Sequence, residues 1–377
     1  MNKKALMLAS VASMIDQFNM PNIQTLQSLG YQVDVVADFT NPGSITQERA
    51  EDLKSRLRDM NVRVFDIVIP RTLNLKSILI AYKEVKKLIN AEHYSLIHCH
   101  SPIGGVICRQ AARGARRSGS KVIYTAHGFH FYDGAPLRNW MVFYPIEKYY
   151  SRYTDVLITI NKEDYARASK KFHAHKTIYV PGVGVDTEKF SPKQSGRNKI
   201  REELGLREFD IMLLSVGELN ENKNHISVIK AISGIDNLTY VIVGKGAKEQ
   251  ELKKTASECG VNLLLSGYRM DVADFYNAAD MYVLPSLREG LNVSLMEAMA
   301  SGLAVVCGRI RGNTDLIVDK DVLFDPLNVK EIRGAITNAI VHKDTLGKEN
   351  LEIIRAFDLE NVQKEIAKIY QGVLSNA

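Results

Sequence analysis

Cysteine is scarce in this chain, with four in 377 residues (Cys99, Cys108, Cys259 and Cys307) and no CxxC spacing among them. That excludes a disulfide scaffold or a cysteine-built zinc site. Each thiol sits in or beside an apolar strand-like or helical run, so reduced, mostly buried thiols in a reducing compartment are expected. Long apolar runs are missing as well. No stretch of about 18 uncharged apolar residues occurs, and no transmembrane helix is predicted. The opening MNKKALMLASVASMID places two lysines before a short apolar run, as a secretory leader does. Ser10 and Ser13 break that run, and residues 16–29 follow with helical spacing up to Gly30, so it reads as a first strand. Metal clusters are also thin. His98, Cys99 and His100 are adjacent, but strand alternation sends Cys99 to the face opposite both histidines. Asp319-Lys320-Asp321 has a spacing that divalent metals use, yet it precedes Val322–Phe324 as a turn would. Neither pattern by itself makes a metal site. Basic runs interleaved with aromatics are lacking too, which argues against a nucleic-acid partner.

What is present is a chain with 45% hydrophobic residues, long enough for two domains. Residues 1–190 hold 26 Lys+Arg against 17 Asp+Glu, and residues 191–377 hold 23 against 26, so the basic excess belongs to the first half. Arg109, Arg113, Arg116, Arg117 and Lys121 form its densest part, followed by Lys162, Arg167, Lys170, Lys171 and Lys176. An anionic membrane surface is the partner such a domain predicts.

Apolar β-rich runs alternate with helical patterns throughout, which predicts parallel sheets covered on both faces. Strands are expected at residues 5–9, 33–37, 62–64, 96–99, 122–125, 156–160 and 177–180. The second half repeats the scheme at 211–216, 240–243, 262–265, 281–284 and 304–307. The polar FSPKQSGRNKIREELGL reads as a linker, with the domain boundary near Phe190–Ser195. The expected domains are residues 1–190, 191–357 and a final helix, 358–377, that crosses back to the first domain on Val362, Ile366, Ile369, Tyr370 and Val373. Unusual residues cluster just past strand ends: His100, His127, Asn161, Gly182, Gly217, Gly244, Gly267 and Ser286. In doubly wound sheets ligands bind there, so two such domains facing a central cleft are expected to line it with these residues.

The stretch REGLNVSLMEAMASG, residues 288–302, carries the most chemistry. Glu289 lies in a Gly-containing loop after an apolar run, and Glu297 lies on the helix that begins near Asn292 or Val293. The free N–H groups of that first turn, with the positive helix end, suit a diphosphate. Carboxylates on either side suit sugar hydroxyls, so a nucleotide-sugar is the expected ligand.

With YTAHGF (124–129), TIN (159–161), VPGVGVDTEKF (180–190), VGELNENKN (216–224), VGKG (243–246), SGYRMDV (266–272) and PSLREGLNVSLMEAMASGLAVV (285–306), the whole chain resembles the retaining family-four GT-B glycosyltransferases of bacterial capsule and exopolysaccharide clusters. The resemblance implies two Rossmann-like α/β domains. It implies that Glu289 contacts the donor sugar, Glu297 binds the ribose, and the amides of Leu291, Asn292 and Val293 hold the diphosphate beside Gly217. Lys223 would neutralise the departing diphosphate and His127 would reach the donor sugar, making His127, Glu289 and Lys223 the catalytic set. Arg269 is placed in the base or ribose pocket, and Met14, His100 and Asn161 on the acceptor side. Two departures stand out. Glu218 occupies a position where many relatives carry Arg, leaving Lys223, or Arg288, Arg309 or Arg311, to supply the charge. The first strand is followed by Ser10–Met14 in place of a Gly-Gly loop.

The activity that the resemblance implies is transfer, with no metal and no cofactor, of a hexosyl or N-acetylhexosaminyl group from a UDP-sugar to a polyprenyl-diphosphate-linked sugar, and Asp319–Asp321 is accordingly expected to be a turn. The expected location is the cytoplasmic face of the cell membrane, held peripherally. The rivals are a hydrolysing UDP-GlcNAc 2-epimerase type, which would form an epimer without acceptor, and a non-catalytic nucleotide-sugar-binding protein.

Overall fold

The computed structural model describes residues 3 to 375. The chain forms two compact units, one from the residues up to Pro181 together with those from Val362 on, the other from Gly182 to Asn361. Both are parallel α/β sheets with helices on each face.

In the first unit the order is β1 (Lys4–Val11), α1 (Ala12–Phe18), α2 (Met20–Ser28), β2 (Gln32–Asp38), α3 (Gln47–Asp59), β3 (Arg63–Asp66), α4 (Leu75–Glu92), β4 (Leu96–His100) and α5 (Pro102–Ala111). It continues with α6 (Arg113–Arg117), β5 (Lys121–Ala126), α7 (Leu137–Tyr150), β6 (Val156–Thr159), α8 (Lys162–Lys171) and β7 (Lys176–Tyr179). The strands pair as β3-β2-β1-β4-β5-β6-β7, all parallel. Strand alternation divides the core. Ala5, Met7 and Ala9 of β1 pack on one side with α1, α2 and α3, while Leu6 and Leu8 pack on the other with α4 and α5.

The second unit runs α9 (Gln194–Glu203), β8 (Ile211–Val216), α10 (His225–Ile232), β9 (Leu238–Val243), α11 (Glu249–Cys259), β10 (Asn262–Gly267), α12 (Val272–Ala278) and β11 (Met281–Leu284). It ends with α13 (Val293–Ala300), β12 (Ala304–Gly308), α14 (Asn313–Leu316), β13 (Leu323–Phe324) and α15 (Val329–Ile354). Its order is β10-β9-β8-β11-β12-β13. The last helix, α16 (Leu359–Ser375), sets Val362, Ile366, Ile369, Tyr370 and Val373 into the first unit's core.

The two-sheet α/β architecture expected from the sequence is present, and each of the twelve expected strands occurs within a few residues. Three details differ. The helical segment 16–29 is two helices, because Pro21 at the start of α2 supplies no N–H to continue the ladder from α1. The polar stretch expected as a linker is mostly α9. Arg197 donates to the carbonyls of Ala278 and Ala279 at 2.9 and 3.0 Å, and Arg201 donates to that of Asp210 at 2.6 Å, so guanidiniums dock this helix together with the buried Ile200. The first boundary falls at Pro181–Gly182 rather than Phe190–Ser195. Gly184 lies so close to Leu359 that an added Cβ would be 2.7 Å from its Cα, and Val185 bridges to Asp358, which ties this segment to the second unit.

Candidate active site

In each sheet the strand order reverses at one point, between β1 and β4 in the first unit and between β8 and β11 in the second. Loops leaving two such strands diverge and open a crevice at their carboxyl ends. In the second unit this brings the loop after β8, with Gly217 and Lys223, against the loop after β11, with Arg288 and Glu289. A backbone and a side-chain bond lace them: Leu287 N–H donates to Asn222 O at 2.8 Å, and Asn222 Nδ2 donates to Arg288 O at 3.1 Å. Lys223 Nζ then sits 2.7 Å from Glu289 Oε1, with side-chain exposures of 16% and 15%. The lysine stem lies over Gly217, where an added Cβ would be 3.1 Å from Lys223 Cε. Gly244 approaches Gly217 more closely still, since a Cβ there would fall 1.8 Å from Gly217 O. Arg311 Nε donates to Glu289 O at 3.1 Å, so one of the arginines considered as a substitute cation is at the site.

Asn292 caps α13, its Oδ1 accepting from Leu295 N–H at 3.0 Å. Leu291 and Asn292 are buried, and the cap leaves the first-turn N–H groups outside the helical ladder. One turn on, Glu297 Oε2 accepts from the Tyr276 hydroxyl at 2.8 Å. Burial pushes its carboxyl up to about 7, against the lowering pull of Tyr276 and Lys189. Tyr276 is a residue that the sequence did not single out, since its partner arrives from another helix.

Arg269 stands apart from this group. Its guanidinium is bound by Asp271 at 2.7 Å and Glu203 at 2.6 Å and stacks over Phe275. The arginine expected in the base or ribose pocket is thus committed to a surface ion-pair cluster.

In the first unit three imidazoles line up at the ends of β4 and β5. His98 bonds the Tyr370 hydroxyl and Thr125 Oγ1, each at 2.8 Å. His100 Nδ1 lies 3.1 Å from His127 Nε2, and its Nε2 lies 3.2 Å from Met7 Sδ. Burial lowers all three, His98 to about 3, His127 to about 4 and His100 well below its usual range. Neutral rings that both donate and accept result. His127 is half-buried, whereas His100, expected on the acceptor side, is fully enclosed and touches His127 instead. Asn161, likewise expected to face an acceptor, is fully buried. It caps α8 through Asp164 N–H at 2.8 Å and donates to Asp164 Oδ2 at 2.8 Å. Asp164 Oδ2 also accepts from Phe129 N–H at 3.0 Å, so this pair fastens the loop that carries His127. Met14 is partly buried on α1, against the core. Where a Gly-Gly loop is lacking after β1, close approach comes from the facing helix. Gly104 N–H donates to Ser10 Oγ at 3.1 Å, and a Cβ on Gly104 would lie 2.7 Å from that oxygen.

Residues 23–189 match the family model described as Glycosyltransferase Family 4, and residues 196–351 match that of Glycosyl transferases group 1. A Bacillus subtilis protein described as putative glycosyltransferase EpsD is 37% identical over 387 residues, covering 99% of this chain and 98% of its own length. The chain belongs to the family-four glycosyltransferases. The Escherichia coli UDP-Gal:alpha-D-GlcNAc-diphosphoundecaprenol alpha-1,3-galactosyltransferase is 32% identical over 275 residues, 69% of each chain. The crystal structure of Anabaena HepE in complex with UDP superposes with a TM-score of 0.77 at 18% identity, over 98% of this chain and 100% of that one, which establishes a shared GT-B fold.

The basic patch of this glycosyltransferase is less free than its sequence implies. Arg109 is buried and bound to Glu147 at 2.8 Å, with its guanidinium 4.0 Å from the Tyr124 ring centroid. Arg116 is held by Asp155 at 2.9 Å and Arg113 stacks over Tyr153. With Lys121 at the start of β5, this patch lies at the strands' amino ends, away from His100 and His127. In the Asp319–Asp321 turn, Asp319 Oδ1 accepts from Asp321 N–H at 2.9 Å.

Proposed function

We propose that this glycosyltransferase is a retaining, metal-independent enzyme that takes a hexosyl or N-acetylhexosaminyl group from a UDP-sugar. It passes the sugar to a polyprenyl-diphosphate-linked acceptor in capsule or exopolysaccharide assembly. The observation that carries the reading is the Lys223–Glu289 pair, 2.7 Å apart beside the amino end of α13, with Glu297 one turn beyond. A departing nucleoside diphosphate gains charge as its sugar bond breaks, and a preorganised cation with a helix amino end stabilises that charge without a metal. Glu289 accepts from sugar hydroxyls, and Glu297 from the ribose. His127, neutral at physiological pH, hydrogen-bonds the donor sugar. UDP as nucleotide and a polyprenyl-diphosphate sugar as acceptor are supported by the galactosyltransferase relative, whose name specifies both.

The test is a panel of UDP-, GDP- and ADP-sugars, with and without polyprenyl-diphosphate sugars and with EDTA, the product anomer being read by NMR. Transfer from a UDP-sugar with the anomeric configuration kept and EDTA without effect is expected. Inversion, chelator-sensitive turnover, or epimer release without acceptor would each overturn the corresponding part.

A further inference from the structure

The second unit holds a polar cleft at the end of its sheet opposite the candidate active site. Its volume is about 590 Å³, and it lies where Asp280 precedes β11 and Leu303 precedes β12, at the strands' amino ends. Lys223 and Glu289 stand in loops at the carboxyl ends. Pro192, Lys193 and Arg197 line the cleft from the chain entering α9, and Lys343, Gly347, Lys348 and Leu351 line it from α15. That size suits a small organic molecule.

Its charge is unbalanced. Among the described residues the wall carries four cations, Lys193, Arg197, Lys343 and Lys348, against two carboxylates, Asp280 and Asp344. Asp280 is already saturated. Arg197 reaches its Oδ1 at 2.7 Å, while Arg201 at 3.2 Å and Met212 N–H at 2.8 Å take Oδ2. Lys343 is left 3.9 Å from that carboxylate, and Lys193 reaches only the Lys189 carbonyl, at 3.5 Å. Lys348 makes no ion pair among the described residues. Nor are the lysines needed to cap the carboxyl end of α13. There Ser301 and Leu303 N–H donate to the Glu297 and Ala298 carbonyls at 3.0 and 3.1 Å, and Asn350 Nδ2 donates to Leu303 O at 2.8 Å. Underused ammonium groups together with Pro192, Leu303 and Leu351 suit an anion of several oxygens carried on an organic body, which is a phosphate ester.

The cleft also adjoins the nucleotide machinery. Ser301 and Gly302, which end α13, line it, and so does Tyr276, whose hydroxyl donates to Glu297 Oε2 at 2.8 Å. α13 is a rod of about 12 Å, with the candidate diphosphate site at its amino end and this cleft at its carboxyl end. α15 leaves helical geometry at His342, with φ −109° and ψ 16°, so its lining residues belong to a stretch of their own. Gly347 seats that stretch on the end of α13, so near Gly302 O that an added Cβ would overlap it. We propose that this cleft is a second binding site, for an organic phosphate, and that its occupancy alters nucleotide binding through α13 and Tyr276. The coupling rests on the reading of Glu297 as the ribose acceptor; the site itself does not.

The experiment is calorimetry on the full chain, without UDP and with UDP saturating so that the candidate active site is filled. Glucose 1-phosphate, fructose 1,6-bisphosphate and AMP are titrated in turn up to millimolar concentration. Wild type is compared with the double variant Lys343→Gln, Lys348→Gln, and circular dichroism verifies the fold. Wild type is expected to bind at least one of these esters, and the double variant to bind it at least about tenfold more weakly. Without ester, the variant should keep wild-type UDP affinity and donor hydrolysis. In wild type the ester should shift UDP affinity at least about fivefold, and UDP should shift ester affinity by the same factor. No ester binding overturns the site. Binding that the double variant keeps does so too, since the ester then lies on another basic surface. Self-association that the double variant abolishes also overturns it and gives the cleft to a second copy. Ester binding lost in the variant, with no shift in UDP affinity, overturns the coupling alone. If wild type does not bind UDP while ester binding is lost in the variant, the nucleotide reading of the active site falls and the second site stands.

Discussion

Lys223 Nζ and Glu289 Oε1 lie 2.7 Å apart, each side chain largely shielded from water. The cation that would meet a leaving diphosphate is therefore held, before donor binds, by the carboxylate that would meet the sugar. Binding must exchange one anionic partner for another. Lys223→Ala is expected to lower kcat by about a hundredfold to a thousandfold, as loss of a transition-state charge partner does, with a smaller change in KM. Glu289→Gln keeps the lysine but frees it. A double-mutant cycle on kcat should show coupling of about 0.5–3 kcal/mol, and simple additivity would mean that the pair does not act as a unit.

Glu297 gives a pH signature. Its carboxyl is raised from 4.5 to about 7 by burial, so the folded state holds a proton that the unfolded state has lost between those values. The stabilisation from this group is complete below pH 4.5 and vanishes as pH rises through about 7. Glu297→Gln should accordingly melt higher than wild type at pH 8, by the equivalent of about 3 kcal/mol at most, and not at pH 4.5. UDP affinity at pH 8 should nevertheless fall about tenfold to a hundredfold in that variant, because a charged acceptor is lost. Calorimetry of UDP in two buffers of different ionisation enthalpy at pH 6.5 should detect proton release. Buffer-independent heats would remove Glu297 from the binding step.

The histidine row acts with the opposite sign. His98 and His127 are depressed from 6.5 to about 3 and about 4 by burial, so the unfolded chain takes up protons that the folded chain refuses. Stability should fall as pH drops below 6.5. His100→Leu removes the bond to His127 Nε2 and should lower kcat with UDP affinity unchanged, while His100→Asn, which places an amide near the lost Nδ1, restores part of it. Equal kcat in the Leu and Asn variants would leave His100 a packing residue.

Two glycines should respond in opposite directions. Gly244→Ala drives a methyl to 1.8 Å from Gly217 O and should cost about 1–3 kcal/mol while distorting the Lys223 loop. Gly334 lies in α15 with nothing within 4 Å of its virtual Cβ, so Gly334→Ala should raise stability by about 0.5–1 kcal/mol. Urea midpoints check both.

Arg269→Ala should leave UDP affinity where it was, since Glu203 and Asp271 already hold that guanidinium. A tenfold loss in calorimetry would show that the ion-pair cluster opens to receive nucleotide.

The sequence by itself determined the two parallel sheets, because buried parallel strands are short apolar runs spaced by helical patterns. It also placed Glu289 in the loop that leads into α13, because that relation is local, whereas the contact of Glu289 with Lys223, 66 residues earlier, is set by the strand order that puts β8 beside β11. It did not reveal α9, which docks through the guanidiniums of Arg197 and Arg201 with Ile200 as a buried apolar residue, too few for an apolar stripe, nor the short β13, whose two residues carry no pattern. Only the tertiary structure decided which polar groups are available. Asn161 and Arg269 look like ligand groups in one dimension, and both are committed to carboxylates, one of which lies 66 residues away in the chain. His100 looked like a cleft residue and proved to be the buried partner of His127, a pairing set by the register of β4 on β5. The apolar face of α4 and α7 shows the same limit. Helical periodicity marks Leu75, Ile78, Leu79 and Tyr82 alike as apolar, and packing alone decides which side meets the core and which is left to solvent.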